Sequence, residues 1–221
     1  MHHSDSFQFA SDFINYTNTS IFLTGKAGTG KTTFLKYCKE NGVKNTAIVA
    51  PTGVAAMNAG GTTIHSFFQL PFTPYIPVSK DFDGNNGVND RNSLIGRLRL
   101  NNDRKEVMLK LELLIIDEIS MVRCDVLDAI DAVLRHVRSQ YSKPFGGVQV
   151  LLIGDMYQLP PVVNDEEWQI LSPSYKSRYF FDSHVVGSQP PVYVELDKIY
   201  RQSDPSFINL LNQVRNNEMD S

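Results

Sequence analysis

The sequence has little cysteine, no long apolar run and no large excess of either charge. Its two cysteines, Cys38 and Cys124, are far apart and show no metal-ligand spacing, so we expect buried packing residues and a reducing compartment rather than secretion. No apolar stretch approaches the ~20 residues that a membrane span requires, and residues 1–4 lack the features of a signal peptide. These absences predict a soluble protein with no membrane partner.

The charge balance excludes little. With 21 Lys and Arg against 24 Asp and Glu, the formal net charge of −3 argues against broad electrostatic adhesion to DNA. A narrow groove that binds nucleic acid through a few hydroxyls, backbone amides and local cations remains compatible with this composition.

Short apolar runs alternate with stretches of helical period, as in a parallel sheet covered by helices on both faces. Residues 20–24, 46–50, 113–116 and 148–153 are predicted strands, and residues 192–195 a fifth. Apolar residues recur every three or four positions over 126–137, which predicts a helix lying on the sheet. A closing amphipathic helix is expected over 207–214. The 221 residues are enough for one large α/β domain.

Residues 71–102 break this rhythm with three prolines, a Gly- and Asn-rich run and several arginines. We interpret them as a small inserted subdomain, flanked by residues 1–70 and 103–221 of the main domain. Asp103 followed by Glu106 resembles a capping box, so the chain is expected to return to the main domain through a short helix.

The strongest chemical signal is GKAGTGKT at residues 25–32, between a predicted strand and a predicted helix. It fits the phosphate-loop pattern, in which backbone N–H groups and the positive end of the helix dipole converge on phosphate oxygens. Lys31 would contact the β- and γ-phosphates of ATP, and Thr32 would ligate Mg²⁺. The expected nucleotide-contacting residues of this segment are Gly25, Ala27, Gly28, Thr29, Gly30, Lys31, Thr32 and Thr33.

An acidic pair follows the buried strand over 113–116, at the strand end where ligands of open α/β sheets bind. Asp117 would hold Mg²⁺, directly or through water, and Glu118 would act as general base on the attacking water. Taken alone, such a pair is often only a helix start. Its coupling to a phosphate loop favours the catalytic interpretation.

Gln158 follows the predicted strand over 148–153 and would meet the same edge of the sheet. An amide suits a γ-phosphate sensor because it donates to a phosphate oxygen and accepts from water. A simple turn over 154–158 explains the same residues equally well.

Five blocks in order carry a resemblance to a known family: GKAGTGKTT, APTGVAAMNAGGTTIHSFF, LLIIDEISM, LLIGDMYQLPPV and ELDKIYRQSDPSF. Together they resemble the first RecA-like P-loop NTPase motor domain of Pif-one and RecD-type DNA helicases of superfamily one. The resemblance implies an enzyme that binds ATP between two RecA-like domains and moves 5′ to 3′ along single-stranded DNA, unwinding forked or structured duplex. It also implies a monomer, cytoplasmic in a bacterium and nuclear or mitochondrial in a eukaryote.

The resemblance assigns further ATP contacts. Gln8 matches the family's adenine-reading glutamine, although a solvated glutamine near the terminus is the simpler alternative. Arg201 matches an arginine that reaches the γ-phosphate and stabilises transition-state charge, and its alternative is a surface ion pair.

The DNA-binding block supplies Thr52, Gly53 and His65 as phosphate contacts. A lone histidine is more often structural. Of the adjacent phenylalanines we assign Phe67 to the core, whereas Phe68 stays between core packing and base stacking and is included among the DNA contacts. The 71–102 insertion occupies the place of a wedge that splits the duplex.

Members of this family continue into a second RecA-like domain, and this sequence stops at Ser221. A shortened protein and a remnant both stay open, and His2-His3 is compatible with a trimmed purification tag. Two other classes also remain: a P-loop ATPase of another kind, such as an AAA+ loader or a kinase, and a non-enzymatic nucleotide-regulated DNA-binding module.

Overall fold

The computed structural model describes residues 4–77, 88–198 and 213 of the chain. Its strands are β1 (Ile21–Gly25), β2 (Thr46–Ala50), β3 (Thr62–Thr63), β4 (Leu113–Ile116), β5 (Gln149–Ile153) and β6 (Val192–Leu196). Its α-helices are α1 (Asp5–Tyr16), α2 (Lys31–Asn41), α3 (Gly53–Ala59), α4 (Ile64–Phe68), α5 (Arg91–Arg97), α6 (Asn102–Lys110), α7 (Cys124–Val137), α8 (Asp165–Leu171) and α9 (His184–Ser188).

Within the described residues the strands form one parallel sheet in the order β3-β2-β4-β5-β1-β6. All five predicted strands are confirmed to within one residue at each end. The two-residue β3 and the helix α1 were not predicted, because neither carries a periodic pattern long enough to be distinctive.

Helices cover the sheet on both faces, as β4 shows most directly. Leu113 and Ile115 pack on one face with residues of α1 and α2, whereas Leu114 and Ile116 pack on the other with residues of α4 and α7. Both sets are fully buried, because successive side chains of a strand point to opposite faces. The predicted α/β, RecA-like architecture is therefore confirmed, and both cysteines are free and buried in helices, as expected.

Helix α7 forms where the repeat predicted it, because its apolar side chains fall on one stripe and are buried. An acidic residue, Asp125, lies in its first turn and Arg135 in its last, which complements the helix dipole. Arg138, just beyond the helix, donates to the carbonyl oxygens of Met108, Leu109 and Leu111 and so ties the end of α6 to the end of α7.

The described flanks of the 71–102 segment pack onto the main core. Tyr75 and Leu94 belong to the apolar cluster around α7, and Tyr75 pairs with Asn89 across residues 78–87, which lie outside the described part. The capping prediction at Asp103 was wrong: Asn101 caps α6, accepting from the Arg104 N–H, because the helix begins one residue earlier. The predicted 207–214 helix falls outside the described residues, save Gln213. No helix among the described residues has the length and apolar character needed to cross a membrane.

Candidate ATP and DNA sites

The phosphate loop connects β1 to α2, as the sequence predicted. Gly25 is enforced by close approach: a Cβ there would lie 2.6 Å from the Leu196 carbonyl oxygen and 2.5 Å from Oγ1 of Thr29. Gly30 caps α2 with a left-handed backbone, φ 96°. Since Gly30 has no side chain to cap the helix, the first-turn N–H groups of α2 are left for an anion.

Lys31 closes the loop from within. Its ammonium donates to the carbonyl oxygens of Gly25 (2.5 Å) and Lys26 (3.1 Å), so the charge lies across the mouth of the loop. The same charge acts on the carboxyl groups of Asp117 and Glu118, whose pKa values it lowers. The cation is therefore shared between the phosphate loop and the acidic pair.

The acidic pair lies at the carboxyl end of β4. The Asp117 N–H donates to the Val49 carbonyl, and Oδ1 of Asp117 accepts from the Glu118 N–H at 3.0 Å. Glu118 has a left-handed backbone, φ 52° and ψ 45°, which a residue with a side chain seldom adopts and which costs about 1–3 kcal/mol. The bend separates the two carboxylates and directs the chain into a 3-10 turn over Ile119–Met121.

Burial raises the pKa of both acids. Desolvation is the main cause at Asp117, where the Glu118 N–H opposes it. Desolvation also dominates at Glu118, and the neighbouring charges of Asp117 and Asp155 raise its pKa further. Glu118 is therefore a stronger proton acceptor than an exposed glutamate, as a general base requires.

Gln158 joins the same cleft. It lies in a turn organised by Asp155, whose carboxylate accepts from the Tyr157 N–H (3.1 Å) and from Nε2 of Gln158 (3.5 Å). The cleft has a volume of about 420 Å³ and is lined by Ala27, Gly28, Gly30, Lys31, Thr32, Thr33, Glu118 and Gln158. The turn and the site, which the sequence posed as alternatives, are thus one feature.

Gln8 lies in the second turn of α1, exposed, with Nε2 donating to Oδ1 of Asp12. It does not line the cleft, although its helix is anchored beside it. Arg201 lies outside the described residues, so its expected place at the γ-phosphate stays a prediction.

A second concavity, which we call the His65 groove, lies beyond β2 and β4 on the same edge of the sheet. Its volume is about 230 Å³, and its lining includes Thr52, His65, Phe72, Arg123 and Val162. The His65 ring stacks on Phe72, with centroids 4.6 Å apart and planes 17° apart. Burial, followed by the charge of Arg123, lowers the pKa of His65, and Asp125 partly opposes this shift. His65 is therefore neutral near pH 7.

The candidate DNA contacts differ in exposure. Oγ1 of Thr52 accepts from the Ala55 N–H as the N-cap of α3, and Gly53 is exposed with open space around its Cα. Phe68, by contrast, is fully buried between the sheet and α7, so its assignment to base stacking was wrong. The reason is register: α4 directs Phe68 inward to the core, and Phe67 packs on it from a half-buried position.

Comparison with known proteins decides which P-loop machine this is. The family model of PIF1-like helicases matches residues 7–221. The chain belongs to the PIF1-like helicase family. It is 38% identical over 202 residues to human ATP-dependent DNA helicase PIF1, covering 89% of this chain and 27% of that protein.

Solved PIF1-like structures superpose on the whole chain. Two Pif1 helicases coordinating at forked duplex DNA give 45% identity and a TM-score of 0.87, covering 100% of this chain and 50% of that one. Bacteroides Pif1 with ADP-AlF3 and single-stranded DNA gives 44% identity and a TM-score of 0.85, covering 100% and 48%. The chain thus spans about half the length of the solved relatives and about a quarter of the human protein.

Two residues of the PIF1-like fold escaped the sequence interpretation. Phe72 is 81% exposed and forms one wall of the groove. Arg123 donates through Nε and Nη2 to Asp125 (2.8 and 2.6 Å) and through Nη1 to Glu167 (3.0 Å). An aromatic residue flanked by Pro71 and Pro74 was a usable signal for Phe72, whereas nothing local in the sequence pairs Arg123 with a residue 44 positions away.

Proposed function

We propose that this chain is the ATP-binding first motor domain of an ATP-dependent DNA helicase that moves 5′ to 3′ along single-stranded DNA. The cleft of about 420 Å³ carries the proposal, because it brings the phosphate loop, Glu118 and Gln158 to one place. The Bacteroides relative with ADP-AlF3 and single-stranded DNA supports both ligands. The His65 groove then lies two strands away on the same edge.

In the ATP cleft, the amides of residues 27–33 and the Lys31 ammonium hold the β- and γ-phosphates, so that negative charge is balanced before water attacks. The Thr32 hydroxyl and the Asp117 carboxylate are hard oxygen donors that suit Mg²⁺. Desolvation of Asp117 without an ion-paired side chain of its own fits a carboxylate adapted to a cation. When bound, Mg²⁺ would supply further positive charge at the phosphates.

Glu118 orients the attacking water and accepts its proton. Its raised pKa and left-handed backbone both serve this role, the first by increasing basicity and the second by holding the carboxylate apart from Asp117. Gln158 donates to the γ-phosphate and relays its loss to the turn fixed by Asp155. Arg201 would complete the charge stabilisation.

The adenine end of ATP is assigned to Gln8. Helix α1 is placed there by Ser6, whose hydroxyl donates to Asp197 after β6, and by Phe7, which packs edge-on against Phe34 of α2 at 4.9 Å. Both contacts bring the start of α1 to the edge of the sheet that carries the phosphate loop.

Single-stranded DNA would bind along Thr52, Gly53 and His65. The absence of a side chain at Gly53 is not required by local packing, which leaves the backbone there open to a phosphate. Phe72 replaces Phe68 as the aromatic residue available to a base. Residues 71–102 are proposed as the wedge that meets forked duplex, which one relative binds.

The other half of the ATP site and of the DNA track is assigned to a second RecA-like domain, present in relatives about twice as long. Alone, this chain should bind ATP weakly and hydrolyse it slowly. In the whole protein we propose a monomeric motor, located in the cytoplasm of a bacterium or the nucleus or mitochondrion of a eukaryote.

The test is ATPase activity of the two-domain protein with and without single-stranded DNA. Wild type should be stimulated by DNA, and Glu118→Gln should lower the DNA-stimulated rate by about 10²–10⁴-fold while keeping nucleotide affinity, because only the base is lost. Glu166→Gln, an exposed acid on α8, is the matched control. Absence of DNA stimulation in wild type would favour another kind of P-loop ATPase, and equal rates for Glu118→Gln would favour a non-enzymatic module.

A further inference from the structure

A side-chain pair on the exposed face of α1 has one possible polarity. Gln8 and Asp12 are four residues apart and therefore adjacent on the helix surface. Nε2 of Gln8 donates to Oδ1 of Asp12 at 2.9 Å. An ionised carboxylate only accepts hydrogen bonds, so the amide must turn its nitrogen, not its oxygen, toward Asp12.

This constraint still leaves the amide a complete recognition face. A primary amide has two N–H groups, one on the same side as its oxygen and one on the opposite side. If Asp12 takes the N–H opposite to the oxygen, Oε1 and the remaining N–H point outward as an acceptor beside a donor. The orientation of that pair is fixed as long as Asp12 is ionised.

Adenine and guanine differ at the edge that such a face reads. Adenine presents a donor, the N6 amino group, beside the N7 acceptor, whereas guanine presents two acceptors, O6 and N7. The face held by Asp12 matches adenine at both positions. Against guanine it sets Oε1 opposite O6, so two acceptors meet with no proton between them. Guanine recovers a hydrogen bond at O6 only if the amide turns over.

We propose that Asp12 is a positioning residue that makes Gln8 select adenine over guanine nucleotides, by preventing the amide from turning over. The inference rests on the proposed role of Gln8 at the adenine edge. It is supported by the anchoring of α1 beside the phosphate loop, through Ser6 with Asp197 and Phe7 with Phe34.

Base preference of the chain itself is the measurement. ADP and GDP would each compete against the fluorescent probe N-methylanthraniloyl-ADP, in wild type and in Asp12→Asn. Asparagine offers both an oxygen and an NH₂ group, so it accepts either orientation of Gln8. We expect the ADP-over-GDP preference to fall about three- to tenfold, the worth of one hydrogen bond, mainly through tighter GDP binding. A merely structural role would weaken both nucleotides alike.

Three further variants separate the possible failures. Asp12→Glu keeps an acceptor-only carboxylate and should retain most of the preference, and Asp5→Asn removes the same charge from the same helix and should leave the preference unchanged. Gln8→Ala should abolish it. If Gln8→Ala abolishes the preference and Asp12→Asn does not, only the role of Asp12 is overturned. If wild type shows no preference, or Gln8→Ala keeps it, the adenine role of Gln8 fails as well.

Discussion

The ATP cleft and the His65 groove occupy the same edge of one sheet, yet they are built from different materials. The cleft is mostly backbone: one continuous loop, residues 25–32, supplies most of its wall, and two side chains, Glu118 and Gln158, face it. The groove is mostly side chain, gathered from several separate segments that include Thr52, Phe72 and Val162. A backbone site depends on glycine conformation, whereas a side-chain site depends on packing among distant residues.

The largest expected effect breaks the cleft and leaves the groove intact. Gly25→Ala places a Cβ 2.6 Å from the Leu196 carbonyl, so the loop must shift. We expect a loss of about 1–3 kcal/mol in the free energy of unfolding and at least a tenfold loss of nucleotide affinity. Thermal unfolding and N-methylanthraniloyl-ADP titration check both. Gly187→Ala, in α9 with no heavy atom within 4 Å of its Cβ, should change neither; unchanged nucleotide affinity in Gly25→Ala would show that the loop has space to spare.

A smaller effect breaks the groove and leaves the cleft intact. Phe72→Ala removes an 81% exposed ring, so the free energy of unfolding should change by less than about 0.5 kcal/mol. Affinity for single-stranded DNA in the two-domain protein should fall by about 1–3 kcal/mol if a base stacks there. Fluorescence anisotropy with labelled oligonucleotide measures this. Tyr16→Ala, an 83% exposed aromatic on α1, is the control, and an equal loss there would remove the special role of Phe72.

The smallest effect sharpens the electrostatic side of the comparison. The pKa of His65 is lowered in the fold, so below its unfolded value of ~6.5 the unfolded chain binds the proton first and stability falls as the pH drops. His65→Gln removes this contribution. Urea denaturation at pH 7.5 and pH 5.5 should therefore show a smaller pH-dependent loss in His65→Gln than in wild type, and an equal loss would mean that His65 titrates normally.

The same contrast explains what the sequence could predict. Residues 25–32 and the acidic pair are contiguous motifs whose spacing reflects local geometry, so the cleft was predictable down to Glu118 and Gln158. The groove depends on contacts between segments far apart in sequence, such as Arg123 with Glu167. Phe68 illustrates the cost: whether one of two adjacent phenylalanines faces the core depends on the register of α4, and five residues are too few to show a helical period.

Asp12 is an intermediate case. Its spacing from Gln8 was visible in the sequence, yet an unpredicted α1 hid the adjacency, because only a helix places residues i and i+4 side by side. Strand positions, by contrast, followed directly from apolar runs, since a doubly covered parallel strand must be apolar on both faces.

The central position of β4 sets a length scale for the motor. Strands lie about 4.8 Å apart, so β2, which leads to the Thr52 end of the groove, and β1, which leads to the phosphate loop, are separated by about 15 Å with only β4 and β5 between them. That distance is about the width of two or three nucleotides of extended single-stranded DNA. Because β4 and β5 are fully buried and rigidly paired, a change at the γ-phosphate cannot reach the groove by bending the sheet. It must travel through the turns that follow these two strands, and Glu118 and Gln158 are located in those turns.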